Sequence, residues 1–207
     1  MGVFHRATIT PSKAELIAEW VPTQSWGPSP DAAIQVVGAY RFDDPENIVG
    51  METHLVSSEG VLLHVPLTYR AEPLDGAEDA LVGTMQHSEL GTRWVYDGLS
   101  DDRFVTMLAA VAMTGQGEAL GMVSYDGRWH IAPTHVRIQG GGWNQERVAV
   151  DGFQRVSAEK DPEVFRNDRF ELSCFRRPVA GPRPAIGLTA TWESQPEAVV
   201  LAEVREL

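Results

Sequence analysis

Residues 64–98, HVPLTYRAEPLDGAEDALVGTMQHSELGTRWVYDG, decide the fold of this chain. Two runs of apolar and β-branched residues, 80–86 and 92–96, are joined by a short polar segment that contains Gly91. Asp97-Gly98 follows the second run, and this pair of residues favours a turn. The pattern predicts two successive antiparallel strands.

The segment before them predicts a hairpin of two more strands. With its turn centred on Glu59, the mainly apolar residues of both strands fall on one face, as a half-buried hairpin requires. That face then contains Met51, Thr53, Leu55, Val61, Leu63, Val65 and Leu67.

The same register sets His54 opposite His64, with Glu52 two residues away. Two imidazoles and a carboxylate are able to ligate a metal, so Glu52, His54 and His64 are the candidate ligands. A cross-strand histidine pair on a solvated face is nevertheless ordinary, and no further ligand is fixed by spacing. We therefore expect no metal here.

Two helices flank these strands. Pro11 suits a first helical turn, and Ser12 with Glu15 has the spacing of a capping box, which predicts a helix that ends near Val21. An apolar stripe at 104, 107, 108 and 111 predicts a second helix, with Gly115 at its C-terminal end.

Short strands dominate the chain after residue 118. The predicted strands are 119–125, 128–138, 147–150, 153–157, 169–177, 185–192 and 198–204. Alternation in the fifth of these directs Cys174 inward as a small hydrophobic residue rather than outward as a nucleophile. The fold class is therefore a β-rich α+β protein with two subdomains, residues 1–115 and 116–207.

The chain is acidic, with a net charge of −12 over 207 residues. Residues 1–115 hold 6 basic and 16 acidic side chains, and residues 116–207 hold 11 and 13, so the net charges are −10 and −2. This balance disfavours nucleic acid and membrane surfaces and fits a basic protein partner. With a single cysteine, no leader pattern and no long apolar run, a cytoplasmic protein is expected.

Motifs of known chemistry are absent from the sequence. Residues 140–142 are three glycines, but neither Lys-Ser nor Lys-Thr follows them, so we interpret them as a flexible hairpin end rather than a phosphate loop. We predict no catalytic residue and no cofactor.

Three stretches carry a resemblance to a known family: HRATITPSKAELIAEWVPTQSW (5–26), YRFDDPENIVGMETHLV (40–56) and the segment 64–98. Together they resemble the N-terminal cap domain of actinobacterial maltokinases. The resemblance implies a cystatin-like fold, in which a curved antiparallel sheet wraps around a helix, and a domain without catalytic residues.

The kinase that follows this cap in the family has no counterpart here. The chain lacks the His-Gly-Asp catalytic loop and the metal-binding Asp that phosphoryl transfer requires. Residues 167–184 faintly resemble the family's strand that carries the ATP-anchoring lysine, and Ser173 stands at that position. Two alternatives stay open: the nucleotide anchor has been lost, or the second half is an unassigned β-domain. Because these motifs are missing, we do not expect this chain to have the kinase activity of the family.

Two functions remain open from the sequence. The first is a non-catalytic accessory or regulatory interaction module of trehalose, maltose and α-glucan metabolism, whose partner is a maltokinase, a trehalose synthase or another α-glucan enzyme. The second is a small-molecule or carbohydrate-binding β-protein, or an enzyme of α-glucan metabolism, with Trp129, Trp143 and Trp192 stacking on sugar. Self-association is left open.

Overall fold

The computed structural model describes residues 2–3, 7–143, 148–157 and 159–207, with only the backbone of residues 2, 3 and 125. The strands in these ranges are β1 (Gly2–Val3), β2 (Ile9–Thr10), β3 (Gln35–Phe42), β4 (Gly50–Ser58), β5 (Val61–Arg70), β6 (Leu81–His87), β7 (Gly91–Asp97), β8 (Gly121–Tyr125), β9 (Arg128–Ile131), β10 (Val136–Gly140), β11 (Gln154–Arg155), β12 (Glu163–Arg166), β13 (Phe170–Cys174), β14 (Gly187–Trp192) and β15 (Gln195–Glu206). The helices are α1 (Lys13–Trp20) and α2 (Asp102–Thr114). Strands hold 44% of the described residues. The two α-helices and three short 3-10 helices, Val21–Thr23, Glu78–Ala80 and Gly98–Ser100, together hold 15%, which confirms the predicted β-rich α+β class.

The strands form two six-stranded antiparallel sheets and one small sheet. The first sheet has the order β2-β6-β7-β5-β4-β3, and the second has the order β10-β14-β15-β13-β12-β11. The small sheet has the order β1-β8-β9, with β1 parallel to β8. The predicted strands in residues 64–98 are β5 to β7, and they lie next to one another in the first sheet.

Helix α1 covers one face of the first sheet. Its capping box is formed, since the Ser12 side chain accepts from the Glu15 N–H and the Glu15 carboxylate accepts from the Ser12 N–H. The helix buries its apolar side against the alternate residues of the central strands. This cluster comprises Leu16, Ile17, Trp20, Val56, Leu63, Val65 and Leu67.

The other face of the first sheet packs into a core that both halves of the chain share. Its members come from β3 and β4, from α2, and from most strands of the second sheet. The Phe42 and Phe104 rings meet here with centroids 5.7 Å apart. The hairpin of β4 and β5 is therefore buried on both faces, whereas the sequence analysis expected burial on one.

The β4–β5 hairpin also differs from the predicted register by one residue. Glu59 and Gly60 both adopt positive φ, 51° and 76°, and form a two-residue turn between the strands. His64 consequently pairs with Leu55 instead of His54. Because a shift of one residue reverses the face of every side chain, the prediction that His54 and His64 share a face was wrong.

The second half differs from the prediction at three places. The strand predicted over 128–138 is two strands in different sheets, interrupted near Pro133, which has no N–H to donate to a ladder. Residues 148–150 are not in a strand, and Arg147 lies outside the described residues. Strand β12, which the sequence analysis missed, is the partner of β11.

Helix α2 packs against β10, β14 and β15. As predicted, its last residue is followed by Gly115, which has φ 70°. The glycine run 140–142 receives the end of this helix, since a Cβ added to Gly140 would lie 2.0 Å from the Val111 carbonyl oxygen. The three glycines therefore permit a close approach of backbone to backbone.

Neither helix in the described ranges is long and apolar enough to cross a membrane.

Candidate functional site

His64 lies on β5, fully buried between the two halves of the chain. Its Nδ1 donates to the Phe175 carbonyl at 3.2 Å, and its Nε2 accepts from the Tyr40 hydroxyl at 2.8 Å. Burial and the neighbouring Arg176 lower the pKa of His64 to about 3, so the ring is neutral. Both ring nitrogens are thus occupied by protein groups.

Glu52 and His54 lie on the opposite face of the sheet, beside the start of α1. His54 Nε2 is 3.7 Å from a Glu52 carboxylate oxygen and 3.4 Å from the Tyr69 hydroxyl, and Lys13 is paired with Glu52. Burial lowers the pKa of His54 to about 4. The structure brings two of the three candidate metal ligands together and places His64 elsewhere. No group of three or more potential ligands able to hold a metal occurs among the described residues.

The three candidate tryptophans occupy different parts of the fold. The exposed fractions of Trp129 on β9 and Trp143 after β10 are 57% and 82%. Trp192 ends β14 and lines a surface pocket of about 420 Å³ together with His135, Arg137 and Glu193. Only Trp192 of the three is thus placed in a described pocket, beside groups that can form hydrogen bonds.

A buried ion cluster joins the two halves of the chain. Arg176 is fully buried and donates to Glu163 at 2.7 and 2.9 Å and to Asp97 at 2.5 Å. Arg155 is paired with the other oxygen of Glu163 and also donates to the Leu99 carbonyl at 2.9 Å. Asp97 belongs to β7 of the first sheet, while the other ions belong to the second half.

Trp26 connects this ion cluster to the surface. The Arg176 guanidinium lies 4.6 Å from the centroid of the Trp26 ring, a distance typical of a cation–π contact. The carbonyls of Trp26 and Gly27 each accept from Arg177 at 2.9 Å. The loop after α1 is therefore held by two consecutive arginines of the second half.

A polar pocket of about 430 Å³ opens at this position. It is lined by Ser25, Trp26, Glu159, Lys160, Asp161 and Arg177. Lys160 Nζ is 3.9 Å from Glu163, and Asp161 accepts from the Arg176 N–H at 2.8 Å, so the pocket is continuous with the ion cluster. Burial and the Arg155 charge lower the pKa of Lys160. A pocket with cations, carboxylates and a hydroxyl can bind a polar small molecule.

Sequence reasoning missed this site altogether. Asp97 was predicted as a turn residue, and Arg176 and Arg177 were predicted only as the last two residues of the strand 169–177. The partners of Arg176 are 79 and 13 residues distant along the chain, and no local spacing indicates such a meeting. The one sequence signal for a buried ion cluster was the pair of adjacent arginines, Arg176 and Arg177, at the end of a strand with alternating apolar residues.

Comparison with known proteins found one family. Residues 20–101 match the maltokinase N-terminal cap domain. No curated protein matches the chain. The matched segment runs from the last residue of α1 to the residue that caps α2, and it includes β3 to β7 of the first sheet. Over residues 20–101 the chain therefore resembles the maltokinase N-terminal cap domain, as the sequence analysis predicted.

Proposed function

We propose that this chain is a non-catalytic interaction module that docks on an enzyme of trehalose, maltose or α-glucan metabolism. The observation that carries the proposal is the cap-like segment 20–101, because a cap domain of a maltokinase belongs to an enzyme of that metabolism. Here this segment is joined to a second β-sheet through a shared core. A maltokinase or a trehalose synthase is the expected partner.

The small sheet supports a docking role. Its outer strand β9 is exposed along its whole length, and Trp129 and Ile131, two residues apart on one face, are 57% and 66% exposed. Leu120, just before β8, adds a third exposed apolar side chain at 52%. Apolar surface on an outer strand favours contact with another protein chain. The net charge of −12 favours a partner whose adjoining surface is basic.

Co-elution of purified proteins tests the proposal. The chain is mixed with a purified maltokinase or trehalose synthase of the same organism, and both size-exclusion elution and enzyme activity are measured. We expect a complex, and we expect Trp129→Ala with Ile131→Ser to abolish it. Trp143→Ala is the matched control, since it removes an exposed tryptophan outside the small sheet. Neither co-elution nor any change of activity with these enzymes would refute the proposal.

A second function, carbohydrate binding, is favoured by the pocket at Trp192. An aromatic ring beside Arg137 and Glu193 offers a stacking surface and hydrogen-bonding groups to a sugar. Titration with maltose, trehalose and maltooligosaccharides, followed by tryptophan fluorescence, tests it. The expected change of emission disappears in Trp192→Ala and persists in Trp129→Ala. An unchanged emission at millimolar sugar argues against this function.

A further inference from the structure

The pocket lined by Ser25, Trp26, Glu159, Lys160, Asp161 and Arg177 has walls from three separate segments. Each segment is held in place by the contacts described above. Arg177 binds the carbonyls that follow α1, Asp161 binds the backbone of Arg176, and Arg176 stacks on Trp26. A pocket with walls fixed in this way requires little ordering when a ligand binds.

The cations of the pocket retain binding capacity. Arg177 donates to two neutral carbonyl oxygens, those of Trp26 and Gly27, so these hydrogen bonds do not neutralise its charge. Lys160 lies 3.9 Å from Glu163, a carboxylate that also binds Arg155 and Arg176. Within the described part of the chain, the buried Arg176 Nη1 also has no hydrogen-bond partner. Arg177 and the neighbouring Arg176 Nη1 therefore keep positive charge and donor groups that no carboxylate binds directly.

The carboxylates of the pocket restrict the ligand. Glu159 and Asp161 lie in the same lining as Lys160 and Arg177, and they would repel a second anionic group on a bound molecule. Carboxylates accept hydrogen bonds from hydroxyl groups, and the Ser25 hydroxyl can donate or accept. The lining thus favours one anionic group on a frame that carries several hydroxyls.

We infer that this pocket binds a small polyhydroxylated molecule with a single anionic group, which is a sugar-like molecule with one phosphate or one carboxylate group. Lys160 and Arg177 bind the anionic group by charge-assisted hydrogen bonds, and Asp161, Glu159 and Ser25 bind hydroxyls. A volume of about 430 Å³ lies within the range of small-molecule sites. The inference is independent of a protein partner, and its pocket is distinct from the pocket at Trp192.

The lysine content of the chain allows a direct test, because Lys13 and Lys160 are its only lysines. The full chain is acylated with a lysine-reactive ester, and peptide mass spectrometry follows the rate at each lysine. The probes are glucose 6-phosphate, gluconate, glucose and inorganic phosphate. Lys13, which is the first residue of α1, is paired with Glu52 and is absent from the lining of the pocket, is the internal control.

We expect glucose 6-phosphate or gluconate at millimolar concentration to slow acylation of Lys160 and to leave the rate at Lys13 unchanged. Whichever of the two protects better identifies the anionic group. Unchanged rates at Lys160 with both probes overturn the inference. Equal protection by inorganic phosphate alone also overturns it, because the hydroxyl frame would then contribute nothing.

A pair of variants gives a second readout by calorimetric titration with the protecting probe. Lys160→Gln removes a charge-assisted hydrogen bond and should weaken binding by about 10- to 100-fold. Arg128→Gln removes one positive charge from the exposed strand β9 and should leave binding unchanged. Equal weakening in both variants overturns the inference, since net charge alone would then explain it.

Discussion

The backbone N–H of His64 donates to the carbonyl of Arg176 at 2.9 Å. This bond is possible because β5 pairs with β7 only over residues 67–70, which leaves the first part of β5 without a strand on that side. The Arg176 side chain then reaches Asp97 at the end of β7. One short segment after β13 thus connects the second sheet to two strands of the first.

The buried ion cluster should be sensitive to loss of a single partner. Glu163→Gln leaves Arg176 and Arg155 without their shared carboxylate, and removal of one partner of a buried pair costs about 3–5 kcal/mol. Urea unfolding at pH 7 measures the loss. Glu206→Gln, which breaks an exposed pair with Arg169, is the control, with an expected loss of about 0–1 kcal/mol. Equal losses in the two variants would contradict this role of the cluster.

Stability should fall as the pH is lowered below neutrality. The folded-state pKa values of His64, about 3, and His54, about 4, lie below the unfolded value of 6.5. The unfolded chain therefore binds more protons between these values, and stability present above pH 6.5 is lost as the pH falls towards 3–4. From pH 7 to pH 5 the free energy of unfolding should drop by roughly 2–4 kcal/mol.

Urea unfolding at both pH values checks this dependence. A variant with His54→Gln and His64→Gln should show a smaller difference between pH 7 and pH 5. Burial also raises the cost of charging Glu52, but the pKa of that carboxyl is lowered from 4.5, so it contributes only at lower pH. Stability independent of pH across this window would contradict the neutral, buried state of both histidines.

Cys174 should be unreactive in the native protein. It is fully buried, and burial raises the pKa of its thiol to about 12, so the thiolate is scarce at pH 8. We expect no labelling by a thiol reagent under native conditions and one label per chain in guanidinium chloride. Rapid labelling of the folded protein would show that the shared core opens readily.

Gly140→Ala should destabilise the contact between β10 and the end of α2. The added Cβ would lie 2.0 Å from the Val111 carbonyl, and overpacking of this kind costs about 1–3 kcal/mol. Gly181→Ala is the matched control, because the nearest atom to its Cβ would be Val200 Cγ2 at 3.9 Å. Thermal unfolding of the two variants compares them, and an equal stability of both would contradict the close approach.

Local signals were sufficient for the existence of strands β4 to β7 and of both helices. The Ser12–Glu15 capping box and Gly115 at the end of α2 depend on neighbours in sequence, and both were predicted correctly. The predicted hairpin register was wrong because the turn consists of two residues with positive φ, Glu59 and Gly60, instead of being centred on Glu59 alone. This difference shifts the pairing by one residue, which changes the residues that share a face.

The candidate site could not be predicted by the same reasoning. Its ions become neighbours only when the second sheet packs on the first, and the pairing of Arg176 with Asp97 spans 79 positions. The expectation of a half-buried hairpin failed for the same reason. The second face of β4 is buried by residues distant in sequence, such as Leu172 and Leu201 of the second sheet.

The burial of the β4–β5 hairpin on both faces has a consequence for synthesis on the ribosome. When residue 115 has been made, α1 can already cover one face, but the strands that cover the other still have to be translated as far as β15. At a translation rate of about 5–20 residues per second, synthesis of the residues that bury this face takes roughly 5–20 s. Until those strands are made, the apolar side chains of this face, among them Met51 and Leu55, lack the second-half residues that bury them in the folded protein.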